Sequence, residues 1–279
     1  MRTAAPAWRS FTALVGLALT ATAVLLAVFG GTLAPFDPFA TRSGALLPPS
    51  PAHWLGTDDL GRDTLSGVLS GARASLLVGV ATAAAAGLLG TAVGALAGFY
   101  GGAIDDVLMR LTELVQIVPR FFLAILVAAL FGPSLAFLTL LLALTFWPAT
   151  ARLVRSQILT LRQREWVVAA RAIGADELRI LRRHVIPHAL GVIIVTAALQ
   201  IGAGILVEAS LSFLGLGDRS VISWGYMLNN AQPFLRNAWW LSVFPGLALV
   251  LTVLGTNLLA DAAYAAWDPA RRRPLPVAQ

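Results

Sequence analysis

Residues 152–187 read RLVRSQILTLRQREWVVAARAIGADELRILRRHVIP, with Arg152 first and Pro187 last. The stretch holds eight arginines and lies between two blocks that are almost wholly apolar. An arginine at the centre of a bilayer costs about 2.5–3.5 kcal/mol on insertion scales, so eight would cost on the order of 20 kcal/mol. That exceeds the whole folding free energy of an ordinary domain, about 5–15 kcal/mol. The stretch must therefore lie in water, and the apolar blocks on either side must be accounted for separately.

Those blocks set the class of the protein. Of 279 residues 58% are hydrophobic and 12% charged, and the mean hydropathy is +0.79. A water-soluble domain carries about 25% charged residues. Crossing about 30 Å of hydrocarbon takes about 20 mostly apolar residues in a helix. Six segments meet that requirement: Phe11–Gly30, Ser75–Tyr100, Glu113–Phe131, Ser134–Thr150, His188–Val207 and Trp239–Ala260. The expected fold is an all-α integral membrane protein with about six transmembrane helices. The first apolar run exceeds the 7–15 residues of a signal peptide core, and no clear A-x-A site follows, so it reads as an uncleaved span. Leu33 to Arg73 is polar and proline-rich and reads as an irregular excursion outside the membrane.

The net charge of +6 comes entirely from arginine, since the chain has no lysine. With the N-terminus inside, the inner segments hold fifteen arginines (Arg2, Arg9, Arg110, Arg120, Arg271, Arg272, Arg273 and the eight of the loop) and the outer segments hold five. The excess of arginine on the cytoplasmic side of short loops orients the chain with both termini in the cytoplasm. Arginines set between apolar blocks do not make a nucleic-acid surface. Cysteine is absent, which excludes disulfides, thiol catalysis and cysteine metal sites. Without lysine there is no phosphate-binding P-loop. His184 and His188 are four apart but are separated by Pro187, and no third metal ligand is near. Gly215-Leu216-Gly217-Asp218 matches the Gly-x-Gly-Asp string of intramembrane aspartyl proteases, but the paired Tyr-Asp on an earlier span is missing.

Within the opening stretch the residues are ordered as two short helices. Trp166, Ala170 and Ile173 share a face at i, i+4, i+7. Gly174 suits a left-handed cap. Asp176 can cap a second helix with Leu178, Leu181 and Val185 on its apolar side, and Pro187 is positioned to end it. The small residues Ala169, Ala170 and Gly174 would let another backbone approach. Elsewhere, Gly90, Gly94 and Gly98 form a small-residue stripe suited to close helix packing, either within the chain or against another subunit. Gln200 and Asn257 are polar groups inside spans, where such groups are candidates for a transport pathway or for bonds between helices. Glu113 and Glu208 lie near membrane edges.

Glu165, Ala169-Ala170 and Gly174, with His184 and Pro187 downstream, resemble the EAA loop of ABC-importer permeases. The block His53-Trp-Leu-Gly56-Thr-Asp58-Asp-Leu-Gly61-Arg62-Asp63 with Gly71-Ala-Arg73, the run Glu208-Ala-Ser-Leu-Ser-Phe-Leu-Gly-Leu-Gly217, Trp224-Gly225 and Pro245-Gly246 are similar to the dipeptide, oligopeptide and nickel branch, closest to its dipeptide-type "C" subunits. Two departures stand out: Trp54 replaces a usual proline, and the glycines typical around Asp261 are missing. The resemblance implies a type I permease fold with residues 1–73 as N-terminus, first span and extracytoplasmic segment, 74–265 as a five-helix core containing the coupling loop 152–187, and 266–279 as a cytoplasmic tail. It implies a multi-pass subunit of the inner membrane that pairs with a second permease, two ATPases and an extracytoplasmic binding protein, surrounded by lipid. It also implies peptide cargo, with nickel or another small solute as the alternative, and no catalysis in this chain: ATP and Mg²⁺ would be held by the ATPases. A secondary transporter would have no use for such a loop.

Overall fold

The computed structural model describes residues 11–41 and 43–267; Arg2, Arg9, Arg42, Arg271, Arg272 and Arg273 lie outside them. The described residues form helices and connecting turns, with no strand among them and a single isolated bridge between Thr57 and Asp63. The helices are α1 (Phe11–Leu33), α2 (Thr64–Tyr100), α3 (Gly102–Ile117), α4 (Arg120–Phe131), α5 (Leu135–Leu161), α6 (Glu165–Ala172), α7 (Glu177–Ile180), α8 (Ile186–Phe213), α9 (Trp224–Ala231) and α10 (Trp240–Trp267). A π turn, Leu181–Val185, joins α7 to α8. Five helices are long and apolar enough to cross a membrane, with α7 and α8 counted as one. The sixth expected span is present only as a broken pair, α3 and α4, bent by 69°. Pro119 causes the break. It has no N–H to donate, and Val118 before it takes an extended conformation.

The centre of the bundle is α2 packed in parallel on α5. Gly90, Gly94 and Gly98 all face α5. A Cβ on Gly94 would lie 2.3 Å from the Ala151 carbonyl oxygen, and one on Gly90 would lie 2.6 Å from the Trp147 carbonyl oxygen. The stripe thus lets the two backbones touch within one chain. Helices in lipid gain little from excluding water, so such close van der Waals packing supplies much of their association. α8 runs antiparallel across another face of α2, with Gly79 beside Ile201 and Ile205. α1 and α10 pair at the periphery, where Gly16 meets Leu258 and Gly255 meets Leu19.

Most spans run a few residues beyond the expected segments, and three boundaries shift for identifiable reasons. α2 begins at Thr64 rather than Ser75, because Asp63 caps it: the Asp63 carboxylate accepts from the Ser66 N–H at 2.8 Å and the Ser66 hydroxyl at 2.7 Å. α5 continues to Leu161, ten residues into the arginine-rich stretch, with Val154, Ile158 and Leu161 buried. Its arginines do not break the helix: Arg152 is exposed, Arg155 pairs with Asp105 of α3 at 2.5 Å, and Arg162, just past its end, donates to the Gly98 carbonyl at 3.0 Å. Pro187 does not end a helix. It sits in the first turn of α8, where a missing N–H is tolerated. The π turn before it carries the chain through, with Ile186 N–H donating to the Leu181 carbonyl.

The glycine stripe yields a paired test. Gly94→Ala should lower the thermal stability of the purified protein by about 1–3 kcal/mol, the usual cost of overpacking. Gly87→Ala, with no atom within 4 Å of the added Cβ, should be neutral or stabilising by up to about 1 kcal/mol. Equal effects at both sites would contradict the packing assignment.

Candidate functional site

The arginine-rich segment folds as a rigid knob at one end of the bundle. α6 ends in a Schellman turn: Gly174 has φ +77°, its N–H donates to the Arg171 carbonyl at 2.9 Å, and Ala175 N–H reaches the Ala170 carbonyl at 3.1 Å. Asp176 caps α7 by accepting from Arg179 N–H at 3.0 Å. The knob is fixed to the spans by an apolar cluster. Val167, Ile180, Leu181 and Val185 are buried against Phe99 of α2 and Val154, Ile158 and Leu161 of α5. Each such side chain contributes about 1.5–3 kcal/mol relative to exposure. Arg171 closes the two short helices on each other through Glu177 at 2.8 and 3.1 Å.

The buried face differs in register from the one the spacing suggests. Trp166 and Ala170 do pack on the cluster, but Ile173 is 85% exposed and Val167 takes its place. α6 stops at Ala172, so Ile173 is already a cap residue and turns outward. On the second helix Leu178 is exposed and Ile180 is buried. Glu165, Val168, Ala169, Ala172, Ile173 and Gly174 are therefore exposed together, and the Glu165 carboxylate has no hydrogen-bond partner among the described residues. His184 and Pro187 are exposed at the base of the knob. His188 Nδ1 lies 2.6 Å from the His184 carbonyl oxygen, and its ring stacks on Trp166 at 4.8 Å. These contacts engage the His188 ring, while His184 takes part through its carbonyl.

The two polar residues of the spans do not meet. Gln200 is buried and donates to the Thr150 hydroxyl at 2.6 Å and the Phe146 carbonyl at 3.3 Å, tying α8 to α5. Asn257 is half-buried on α10 and faces Gly202 on α8. Two features are not apparent from the sequence. Arg120, which charge placement groups with the inner segments although it falls within Glu113–Phe131, has its guanidinium 4.3 Å from the centre of the Phe146 ring, part-way along α5. Glu208 is completely buried and is the hub of a serine cluster. It accepts from Ser212 at 2.7 Å and Ser75 at 3.4 Å, with Ser223 as a third partner. Ser75 in turn accepts from the backbone N–H of the buried Trp224 at 3.3 Å. The cluster joins α2, α8 and the start of α9. The sequence does not show it as a cluster, because Ser75 and Ser223 lie far from Glu208 and Ser212 in the chain.

At the opposite end from the knob, Asp63 also pairs with His53 at 3.0 Å. Gly61, at φ +74°, leaves room for the Ser43 carbonyl 2.1 Å from where a Cβ would stand. The His53–Asp63 block is thus a folded platform. Asp218 lies in the loop after α8. Burial alone would raise its pKa, but donation from the Ser220 hydroxyl and N–H and from Leu135 N–H outweighs this and holds the carboxyl below its usual value. It is an ionised cap on α5, and a protease acid at membrane depth would need the opposite bias.

Residues 90–273 match the family model described as the binding-protein-dependent transport system inner membrane component. The chain belongs to that family. It is 39% identical over 274 residues to the dipeptide transport system permease protein DppC of Bacillus subtilis, covering 96% of this chain and 86% of the relative. It is 42% identical over 265 residues to DppC of Escherichia coli, covering 92% and 88%. The oligopeptide permease OppC of Bacillus subtilis is 36% identical over 263 residues, covering 94% and 86%. The inward-facing MetNI methionine ABC transporter has a chain of the same fold, with a TM-score of 0.60 at 18% identity over 72% of this chain and 96% of that one. This permease is a multi-pass membrane subunit of the dipeptide type, with a type I importer fold, and not an enzyme.

The serine cluster of the permease has a direct test. Glu208→Gln keeps an acceptor for the hydroxyls and should leave stability within about 1 kcal/mol of the parent, whereas Glu208→Leu strands buried polar groups at about 1–3 kcal/mol each. Thermal unfolding of the purified protein checks this. A Leu variant as stable as the Gln variant would show that the cluster does not hold α9 in place.

Proposed function

We propose that this permease forms one half of the translocation pathway of an ATP-driven importer for dipeptides and related short peptides. Its partners are a second permease, two ATPases and an extracytoplasmic binding protein, and the knob end and both termini face the cytoplasm. ATP and Mg²⁺ are held by the ATPases. The peptide assignment is supported by the dipeptide and oligopeptide relatives.

The observation that carries the coupling role is the exposed surface of a rigid knob. Ala169, Ala172 and Gly174 offer little side-chain bulk, Val168 and Ile173 offer apolar contact, and Glu165 offers an unpartnered carboxylate. Such a surface suits insertion into a cleft on another protein. The knob is stiff because Val167, Ile180, Leu181 and Val185 fix it to α2 and α5, so a push from the ATPase moves both helices together. Closure of the ATPases on ATP then changes which end of the pathway is open.

Gly174→Val tests the reading, because a β-branched residue is strained at φ +77°. In the reconstituted complex, peptide uptake and the ATP hydrolysis stimulated by loaded binding protein should both fall at least tenfold while the subunits still co-purify. Survival of both activities would refute the coupling assignment.

A further inference from the structure

Arg120 is a charge at membrane depth. Phe146, whose ring it faces, lies near the middle of α5, and the Phe146 carbonyl accepts from Gln200 near the middle of α8. Two spans therefore place the guanidinium half-way through the bundle. α4 reaches that depth from the far end and stops there because Pro119 breaks the third span. Arg120 is half-buried, and Ile117, Val118, Pro119, Phe121 and Phe122 around the break are exposed.

The energetics of that position are unfavourable as they stand. A mid-membrane arginine costs about 2.5–3.5 kcal/mol, and a cation over an aromatic ring returns only about 0.5–2 kcal/mol. Among the described residues no carboxylate lies within ion-pair distance of Arg120 and no side chain or carbonyl accepts from it. The other arginines of comparable burial each have a hydrogen-bond acceptor: Arg155 has Asp105, Arg162 has the Gly98 carbonyl and Arg62 has the Tyr226 hydroxyl. Intramembrane charges face a water-filled cavity or a counter-charge rather than lipid. Arg120 thus marks the side of the chain that looks into a polar space, and it lacks an anion there.

We infer that Arg120 binds the carboxylate of the transported peptide as it passes the middle of the membrane. This rests on the peptide reading above. A dipeptide always carries a terminal carboxylate, and a planar guanidinium can hold both of its oxygens. The Phe146 ring keeps the guanidinium extended and oriented while no substrate is present. Because the ring contact is weak, the site can release its ligand.

The test uses the assembled complex in proteoliposomes, with saturating binding protein, and compares uptake of a dipeptide with uptake of its C-terminal amide. The wild type should favour the free acid. Arg120→Gln should lower free-acid uptake at least tenfold, change amide uptake less than twofold, and leave ATP hydrolysis stimulated by the loaded binding protein intact. Arg120→Lys should restore part of the loss. Should the wild type carry no measurable amide, loss of acid uptake with stimulated hydrolysis preserved supports the inference, and loss of both overturns it. Unchanged acid uptake in Arg120→Gln, equal loss for both peptides, or failure of the two permeases to co-purify overturns it as well, the last pointing to a counter-charge on the second permease. A wild-type complex that carries no peptide would refute the functional reading itself, whereas a wild-type-like Arg120→Gln would refute this inference alone.

Discussion

The fold depends on the direct contact between the backbones of α2 and α5. Lipid offers neither hydrogen bonds nor a hydrophobic penalty for separating two apolar helices, so what remains is dispersion at short range. Gly90, Gly94 and Gly98 convert that weak force into a long seam by removing every Cβ that would hold the helices apart. Because α2 and α5 run parallel, with Gly98 beside Arg155 and Ile158, their C-terminal ends lie together. At one side Phe99 and Leu161 receive the knob. At the other, Asp218 caps α5 beside Leu77, and α2 runs on past that level to its own cap at Asp63.

Force applied to the knob therefore has a short route through the spans. The knob rests on the last turns of both helices, and α8 leaves it without a break, since the π turn carries the chain past Pro187. α8 then returns to α2 at Glu208, where the serine cluster also takes hold of α9. The broken third span stands apart from this frame. α3 is held by Asp105 on Arg155 and by Val115 on the apolar cluster that also takes Ala124 of α4 among Leu138, Leu142 and Phe146. A span in two short pieces around Pro119 is the element best able to change shape while the α2–α5 pair stays fixed.

Much of this is legible in the sequence, for reasons that differ by feature. Apolar length marks the long helices, because lipid imposes that requirement on every span. Gly174 and Asp176 mark their turn and cap, because local backbone geometry admits few residue types. The start of α2 is not legible from apolar length: Ser66, Ser70 and Arg73 lower the hydropathy of its first turns, and the helix is sustained there by the local Asp63–Ser66 cap, which His53 holds from ten residues away. Helical spacing puts Ile173 on the buried face because it cannot register that α6 stops one residue earlier. Glu208 and Arg120 are the least legible of all. The partners of Glu208 are 133 residues away at Ser75 and four away at Ser212. Arg120 falls inside the third apolar segment yet charge placement groups it with the inner arginines, and the three-dimensional break at Pro119 brings it beside Phe146.

The central claim is that the knob built from residues 162–186 docks on an ATPase. The chain has no cysteine, so a single thiol can be placed without background. Ala169→Cys in the assembled complex, treated with a short thiol–amine cross-linker, should join this chain to an ATPase subunit, and the yield should change when ATP is bound. Trp54→Cys, 72% exposed on the opposite side of the bundle, should give no such product. Cross-linking to the ATPase from position 54, or none from position 169, would contradict the account.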